Sequence, residues 1–382
     1  MASERTLVLV GGGHSHVQVL RGFGERPEPG VRLTLVSRDL QAPYSGMLPG
    51  FIAGHYRFGE CHIDLHPLAT FAGATLIHDE VTGIDRAAKR LRLRNGAPLP
   101  YDLLSLDIGS TPKAEDVPGA AEHAIAVKPV DRLAERWARL VEEVRAAAAP
   151  PTLVLVGGGP AGVEMILAMQ HRFRTLLGDP PERQPRFALV TRGGLLERHN
   201  RFVRAAFRRV LARRNVAVHE DAAVERVEAG CLHIANGRRI TFDTALWAVQ
   251  AGAAPWLAGT GLDLDAGGFV IVEETLRSTN DPCVFAAGDV ASMQGHPREK
   301  AGVIAVRHGP PLAANLRRAL AGEPLRPFVP QSQWLALIST GDRHAVASRG
   351  WLYAEGNWVW RVKDGIDRRF MRRFQELPPQ TG

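Results

Sequence analysis

Two stretches of the chain share one pattern of apolar and small residues. Leu7 to Gly13 reads Leu-Val-Leu-Val-Gly-Gly-Gly, and Leu153 to Gly159 repeats it letter for letter. A short continuous apolar run bounded by glycines is typical of a parallel strand buried on both faces. Helix-compatible residues follow each glycine run. The pattern therefore predicts two strand–turn–helix units in one α/β chain.

The first glycine run has the composition of a dinucleotide-binding loop. Gly11 permits the tight turn, and Gly13 lets a pyrophosphate approach the backbone at the helix N-terminus, beside His14 and Ser15. His16 stands where the third glycine of a G-x-G-x-x-G pattern is expected. We expect the first four of these residues to contact a bound dinucleotide.

The second glycine run completes the same pattern with Gly157, Gly159 and Gly162. Glu164 follows in the first turn of the helix. It either contacts the nicotinamide side of a second nucleotide or is an ordinary acid favoured by the helix dipole. The next strand ends at Arg192 instead of an acid, and an arginine there accommodates a 2′-phosphate. Arg192 therefore weakly favours NADP, against the alternative of a solvent-exposed side chain.

The second strand of the first unit, Val31 to Val36, is followed by polar residues. An acid usually stands at this point to bind the ribose hydroxyls, but here the chain has Ser37 and Arg38, with Asp39 beyond. A serine can donate and accept hydrogen bonds, and an arginine can lie against an adenine or a phosphate. The alternative is that all three are plain loop residues.

Three further segments complete the organisation of the chain. A turn-rich, apolar segment contains Ser45 and Gly46, and a buried strand near residue 104 closes on a turn at Gly109. A helix is predicted over 130–148, where Pro150-Pro151 stop it. No cysteine pair accompanies the turn at Ser45, which excludes dithiol chemistry there.

Composition narrows the classes of function. The chain has 382 residues with a formal charge of +7, and its basic residues are scattered without a nucleic-acid recognition motif. It has three cysteines, Cys61, Cys231 and Cys283, and no C-x-x-C, which argues against disulfides and a metal site. No signal peptide precedes the first strand, and no apolar run reaches the roughly 18 residues of a spanning helix. We expect a cytoplasmic protein that binds no nucleic acid.

The segment from Thr279 to Val290 reads Thr-Asn-Asp-Pro-Cys-Val-Phe-Ala-Ala-Gly-Asp-Val. Together with the two glycine loops, this string resembles the pyridine nucleotide–disulfide oxidoreductase superfamily over nearly the whole chain. The resemblance implies that Asp289 binds the ribitol of FAD and that Gly288 leaves room for the phosphates. It also implies two Rossmann-like dinucleotide-binding domains, for FAD and NAD(P), and a small C-terminal α+β region. The expected boundaries are 1–112 with 250–322 for FAD, 113–249 for NAD(P), and 323–382 for the C-terminal region.

A narrower resemblance rests on three strings, which start at Tyr44, Lys300 and Lys363. They are similar to the flavoprotein module fused ahead of selenide, water dikinase, which is itself similar to type II NADH dehydrogenases and sulfide:quinone oxidoreductases. The chain lacks the redox cysteines of the sulfide enzymes. It has Arg307-His308 where the NADH dehydrogenases place glutamines near the quinone.

The resemblance implies an FAD-dependent oxidoreductase that accepts hydride from NAD(P)H at flavin N5 and passes electrons to a quinone-like or other small acceptor. A helix starting near Ala301 would aim its N-terminus at the flavin, and Lys300, the expected catalytic residue, would add a positive charge there. A sulfur or selenium redox flavoprotein and a low-turnover flavin-binding scaffold are the alternatives.

The tail from Phe328 to Gly382 holds four of the seven tryptophans. Val362, Ile366, Phe370 and Phe374 recur every four residues among arginines, which predicts a basic amphipathic helix with one apolar face. Three environments stay open for that face: an anionic membrane surface on the cytoplasmic side, the flavin domain, or a second copy in a homodimer.

Overall fold

The computed structural model describes residues 4–112, 117–127, 130–178, 181–249 and 251–379. Its first part contains these elements: β1 (Arg5–Val10), α1 (His14–Glu25), β2 (Val31–Ser37), β3 (Gln41–Pro43), α2 (Leu48–Ile52), α3 (Phe58–Cys61), β4 (His62–Asp64), α4 (Leu65–Phe71), β5 (Thr75–His78), β6 (Val81–Asp85), β7 (Arg90–Leu93), β8 (Leu99–Pro100), β9 (Leu103–Leu106) and β10 (Thr111–Pro112).

The second part contains α5 (Ala120–His123), β11 (Ala124–Ala126), α6 (Val130–Ala146), β12 (Thr152–Val156), α7 (Pro160–Leu177), β13 (Arg186–Val190), α8 (Arg201–Arg213), β14 (Val216–His219), β15 (Val224–Glu228), β16 (Cys231–Ile234), β17 (Arg239–Thr241) and β18 (Thr244–Trp247). The third part contains β19 (Ala251–Gly252), β20 (Val270–Val272), β21 (Val284–Ala286), β22 (Ala291–Met293), α9 (Gly302–Ala321), β23 (Ala336–Ser339), β24 (Ala345–Arg349), β25 (Leu352–Gly356) and α10 (Asn357–Gln375).

The first sheet is parallel and has the strand order β21-β9-β1-β2-β5. Its central strand β1 is apolar from Leu7 to Val10, and all four side chains are buried as the sequence predicts. Helices α1 and α9 pack against each other, and the core around them includes Phe23 and Phe285. Strand β21 comes late in the chain and pairs with β9. The turn that follows β21 therefore lies next to the loops after β1 and β9.

The second sheet is also parallel, with the order β11-β18-β12-β13-β14. Helix α7 begins directly after the second glycine run and packs on β12 and β13, and its own residue Phe173 is fully buried in the core. The predicted α/β class with two strand–turn–helix units is therefore confirmed.

A C-terminal region of three antiparallel strands, β23-β24-β25, leads into α10. Helix α10 buries Val359, Phe370, Met371 and Phe374. It leaves Val362 and Ile366 about half exposed, at 45% and 51%. The predicted basic amphipathic helix is present. Its apolar stripe is only partly covered, because Val362 and Ile366 lie on its exposed outer side. In the described part of the chain, no helix combines the length and apolarity that crossing a membrane requires.

Candidate functional site

Three glycine-rich loops meet at the carboxyl edge of the first sheet, because β9 lies between β1 and β21. Gly11 has a φ of +90°, and a Cβ there would lie 2.5 Å from the carbonyl oxygen of Asp107. A Cβ on Gly13 would lie 2.3 Å from the carboxyl carbon of Asp107. Gly109 and Gly288 also have positive φ, at +72° and +67°. The bare backbone of these loops forms the cradle that a pyrophosphate at a helix N-terminus requires, so the residues fit FAD.

The buried His16 side chain takes the place of the third glycine in the first loop. The side chain is fully buried, with Nδ1 2.7 Å from the Gly11 carbonyl oxygen and Nε2 2.8 Å from the Ser105 hydroxyl. Burial lowers the pKa of His16 to about 4, so the ring is neutral at physiological pH. The imidazole thus connects the glycine loop to β9 through hydrogen bonds. A glycine at this position would instead allow the helix to pack closely on the strand.

Asp107 is the residue that the sequence interpretation missed. One carboxyl oxygen, Oδ2, accepts the backbone N–H groups of Ser15 at 2.8 Å and His16 at 2.9 Å. Burial raises the pKa of Asp107 to about 7, and the nearby Asp289 acts in the same direction. An acid directly after the buried strand β9 was the available signal.

The residues expected around the ribitol and the adenosine lie in two places. Asp289 accepts a hydrogen bond from the Ser110 hydroxyl at 3.0 Å, next to the three loops. Ser37 is buried and donates to the Asp39 carbonyl at 2.6 Å, while Arg38 forms an ion pair with the Asp39 carboxylate at 2.9 Å. Their contacts with a cofactor remain predictions.

The turn containing Ser45 and Gly46 lies beside the start of α1. The Ser45 hydroxyl is 3.4 Å from Nε2 of His14, and the Tyr44 ring lies 5.4 Å from the His14 ring. Tyr44 also stacks on Phe370 of α10, with the ring centroids 4.6 Å apart. The structure therefore brings His14, Ser45 and Gly46 together and covers them with α10. The Ser15 hydroxyl points elsewhere, donating to the Ala305 carbonyl of α9 at 2.7 Å.

Helix α10 supplies a buried ion pair to this turn. Nζ of Lys363 lies 2.6 Å from Oδ2 of Asp367 and also donates to the Gly46 carbonyl. Tyr44 donates its hydroxyl proton to Oδ1 of Asp367 at 3.1 Å. Burial and the neighbouring Asp367 carboxylate raise the pKa of Tyr44 above its ordinary range, so the phenol stays protonated. We call Tyr44, Lys363 and Asp367 the α10 network.

Glu164 connects this network with the second nucleotide unit. Its carboxylate accepts the backbone N–H of Ser339 in β23 at 2.7 Å. Burial raises the pKa of Glu164 to about 7, while the positive charge of Lys363 lowers it. The carboxyl is partly buried against the C-terminal region, so it is not an ordinary solvated acid of a first turn. Contact with a nicotinamide remains a prediction.

The three glycines of the second loop have different roles. A Cβ on Gly157 would lie 2.4 Å from the Ala248 carbonyl oxygen, and one on Gly162 would lie 1.9 Å from the Gly157 carbonyl oxygen. These two glycines are required by the loop itself. Gly159 has open space at its Cβ position and is free for a ligand. Arg192 is exposed directly after β13, at the edge where this loop lies.

Lys300 lies away from the α10 network. Its ammonium donates to the Ala291 carbonyl of β22 at 2.7 Å and lies 3.9 Å from the centre of the Phe269 ring. Burial lowers the pKa of Lys300. Ala301 is the residue before α9, so the helix starts where the sequence predicts. The catalytic role expected for Lys300 remains a prediction.

The three cysteines lie in separate elements, and all are free thiols. Cys61 ends α3, where burial raises the pKa of its thiol to about 12, and Cys231 begins β16. Cys283 is partly buried and packs against the core of the first sheet. Because of its raised pKa, the Cys61 thiol is almost fully protonated and a poor nucleophile. The three thiols form no disulfide, and they lie in separate elements.

A variant with all three cysteines replaced, Cys61→Ala, Cys231→Ser and Cys283→Ser, should retain its FAD and most of its rate of flavin reduction by NAD(P)H. The expected loss is confined to packing, mainly around the buried Cys61 and less around the partly buried Cys231 and Cys283. FAD content and single-turnover absorbance measure this. A variant that binds FAD but no longer transfers electrons to its acceptor would contradict it.

Comparison with known proteins identifies the family of this arrangement. Residues 5–315 match the family described as pyridine nucleotide-disulphide oxidoreductase. An NADH dehydrogenase-like protein of Mycobacterium tuberculosis is 27% identical over 84% of this chain and 81% of its own length. An alternative NAD(P)H-ubiquinone oxidoreductase of Arabidopsis thaliana is 24% identical over 78% of this chain and 63% of its own. The sulfide:quinone oxidoreductase of Aquifex aeolicus has the same fold, with a TM-score of 0.80 at 17% identity, covering 97% of this chain and 92% of that one.

Proposed function

The chain belongs to the pyridine nucleotide-disulphide oxidoreductase family, as an FAD-dependent oxidoreductase that uses NAD(P)H, and we propose that its electrons go to a small quinone-like acceptor. The observation that carries the proposal is α10, whose inner face covers the turn at Ser45 and whose outer face is apolar and basic. The ubiquinone acceptor named for the plant relative supports the same choice.

FAD supplies the two-electron chemistry when it is bound, and the chain supplies its position and surroundings. We propose that residues 1–112 and 250–322 form the FAD-binding domain, with 113–249 binding NAD(P) and 323–382 forming the C-terminal region. Gly11, Gly13 and the α1 N-terminus would hold the pyrophosphate, and Asp289 would accept hydrogen bonds from the ribitol. Tyr44 and Phe370 provide the aromatic surface on the acceptor side.

The α10 network would serve the acceptor by holding protons near the Gly46 carbonyl. Lys363 is a charged donor, and Tyr44 carries a proton that its environment keeps in place. Glu164, with a pKa of about 7, exchanges its proton near physiological pH. Reduction of a quinone consumes two protons, so titratable groups at this site suit that acceptor.

The outer face of α10 indicates where such an acceptor is found. Trp358, Val362 and Ile366 are exposed on it, next to Arg361 and Arg369, and Trp351 of the preceding hairpin is 82% exposed. Apolar and aromatic side chains flanked by arginines suit the boundary of an anionic lipid surface. We therefore propose peripheral binding to an anionic membrane that contains the quinone.

The test is anaerobic reduction by NAD(P)H followed by reoxidation with a long-chain ubiquinone in anionic vesicles. We expect turnover, and a Trp358→Gln/Ile366→Gln variant should lose several-fold of it while keeping its rate with a water-soluble quinone analogue. A rate of reoxidation by ubiquinone that is the same with and without anionic vesicles contradicts the membrane proposal. Faster reoxidation by a ferredoxin, with none by either quinone, contradicts the acceptor proposal.

Arg192 gives a prediction about the donor. Arg192→Ala should raise the KM for NADPH by roughly two- to fivefold and leave that for NADH unchanged, since exposed charge pairs contribute about 0.5–1 kcal/mol. Arg186→Ala, at the exposed start of the same strand, is the matched control. Equal KM values before and after the change at Arg192 would make it a surface residue only.

A further inference from the structure

The carboxyl group of Asp107 touches all three loops of the FAD cradle. Through Oδ2 it accepts the N–H groups of Ser15 and His16 at the start of α1. It lies over the Cα of Gly13, where a Cβ would be 2.4–2.5 Å from its oxygens, and a Cβ on Gly288 would be 2.4 Å from Oδ1. The side chain is 2% exposed. The Asp107 carboxyl is thus placed at the α1 N-terminus, where the pyrophosphate would bind.

The charges around this carboxyl favour its neutral form. Asp289 approaches from the turn after β21 and carries a like charge. His16 on α1 and His308 on α9, whose Nδ1 accepts the Gly288 N–H, both have pKa values lowered by burial to about 4 and are uncharged. The charge of Lys300 interacts with that of Asp289, and its ammonium donates a hydrogen bond to a carbonyl of β22. Helix α1 and its backbone N–H groups are thus the main positive influence on Asp107.

A bound pyrophosphate would bring two more negative charges to the same helix terminus. An ionised Asp107 would then compete with it for the positive end of α1, whereas the neutral acid keeps one oxygen for the two N–H groups and removes the repulsion. We propose that FAD binds together with one proton from solvent, which resides on Asp107 in the FAD-loaded protein. This inference concerns FAD retention and does not depend on the acceptor.

The sign of the effect follows from linkage. If the FAD-bound protein holds a proton that the free protein loses near neutral pH, the affinity for FAD falls as pH rises through that range. The imidazoles of His16 and His308 do not titrate there. Glu164 does, but it belongs to the second nucleotide unit, and the Asp107→Asn variant separates its contribution from that of Asp107. We expect the Kd for FAD to rise on the order of tenfold from about pH 6 to about pH 8.

The experiment starts from the purified holoprotein, which is diluted at a series of pH values while the fluorescence of released FAD is followed. The wild type should release more FAD as pH rises. Asp107→Asn should show a flat profile, because the amide oxygen still accepts both N–H groups and the side chain stays neutral. A flat wild-type profile, or an equal slope in Asp107→Asn, overturns the proposal.

A second measurement keeps the test decisive if Asp107→Asn fails to retain FAD. Dissociation of FAD from the wild type in weakly buffered solution above about pH 7.5 should release close to one proton per FAD, read with a pH indicator. Dissociation without proton release overturns the proposal. A purified protein that contains no FAD would instead contradict the cofactor assignment.

Discussion

Replacing Gly13 by alanine should leave a protein that folds but retains little FAD. The new Cβ would lie 2.3 Å from the Asp107 carboxyl carbon, and that carboxyl cannot move freely because it accepts two N–H groups and is buried. Overpacking of this kind costs about 1–3 kcal/mol of stability. The loop or the carboxyl must shift to relieve it, and if the same free energy is needed to restore the cradle for the pyrophosphate, the Kd for FAD rises roughly 5- to 150-fold. Flavin absorbance per chain after gel filtration measures the loss.

Gly22→Ala is the control for that experiment, since it adds the same methyl group to the same helix. No atom lies within 4 Å of a Cβ at Gly22, and alanine in a helix interior is favoured over glycine by about 0.5–1 kcal/mol. This variant should keep its FAD and unfold at a slightly higher temperature. If Gly13→Ala retains as much FAD as Gly22→Ala, the cradle is not where FAD binds.

The elements around β1 and β12 could be predicted because their signals are local. Four apolar residues followed by three glycines specify a buried strand and a tight turn within ten residues of chain. The same holds for Gly288 and Asp289, whose surrounding string is continuous. These predictions need no knowledge of which segments become neighbours.

Asp107 could not be predicted in its role, because its partners lie 92 and 91 residues away along the chain. Its role depends on β9 pairing with β1, and an acid after a strand has many other uses. The substitution of His16 for glycine was visible, but its bond to Ser105 depends on the same pairing.

The sequence predicts the amphipathic helix α10 but not which part of its apolar stripe is covered, for a geometric reason. A step of four residues turns a helix by about 40° more than one full turn, so a stripe repeated every fourth residue winds around the axis. Val362 and Phe374 are therefore about 120° apart, and the structure exposes the first while burying the second. Distinguishing the two faces required the position of the Tyr44 turn, against which the helix packs.

Lys363→Met should strongly destabilise the protein at neutral pH. Its side chain is 11% exposed and that of Asp367 is 7% exposed, so removing the ammonium leaves a buried carboxylate without its counter-charge. Breaking a buried pair in this way costs about 3–5 kcal/mol. Arg361→Met, on the outer face of the same helix, should change the free energy of unfolding by less than about 0.5 kcal/mol.

The pH dependence of that loss identifies its cause. Without Lys363, the pKa of Glu164 should rise further, because the Lys363 charge lowers it in the wild type. A carboxyl with a raised native pKa favours folding at low pH and loses that contribution as pH rises through the native pKa. The deficit relative to wild type should therefore be largest near pH 8 and should shrink as pH falls toward about 5. Denaturant unfolding at a series of pH values measures it, and a deficit that does not vary with pH would mean that Lys363 acts through packing of its alkyl chain instead of its charge.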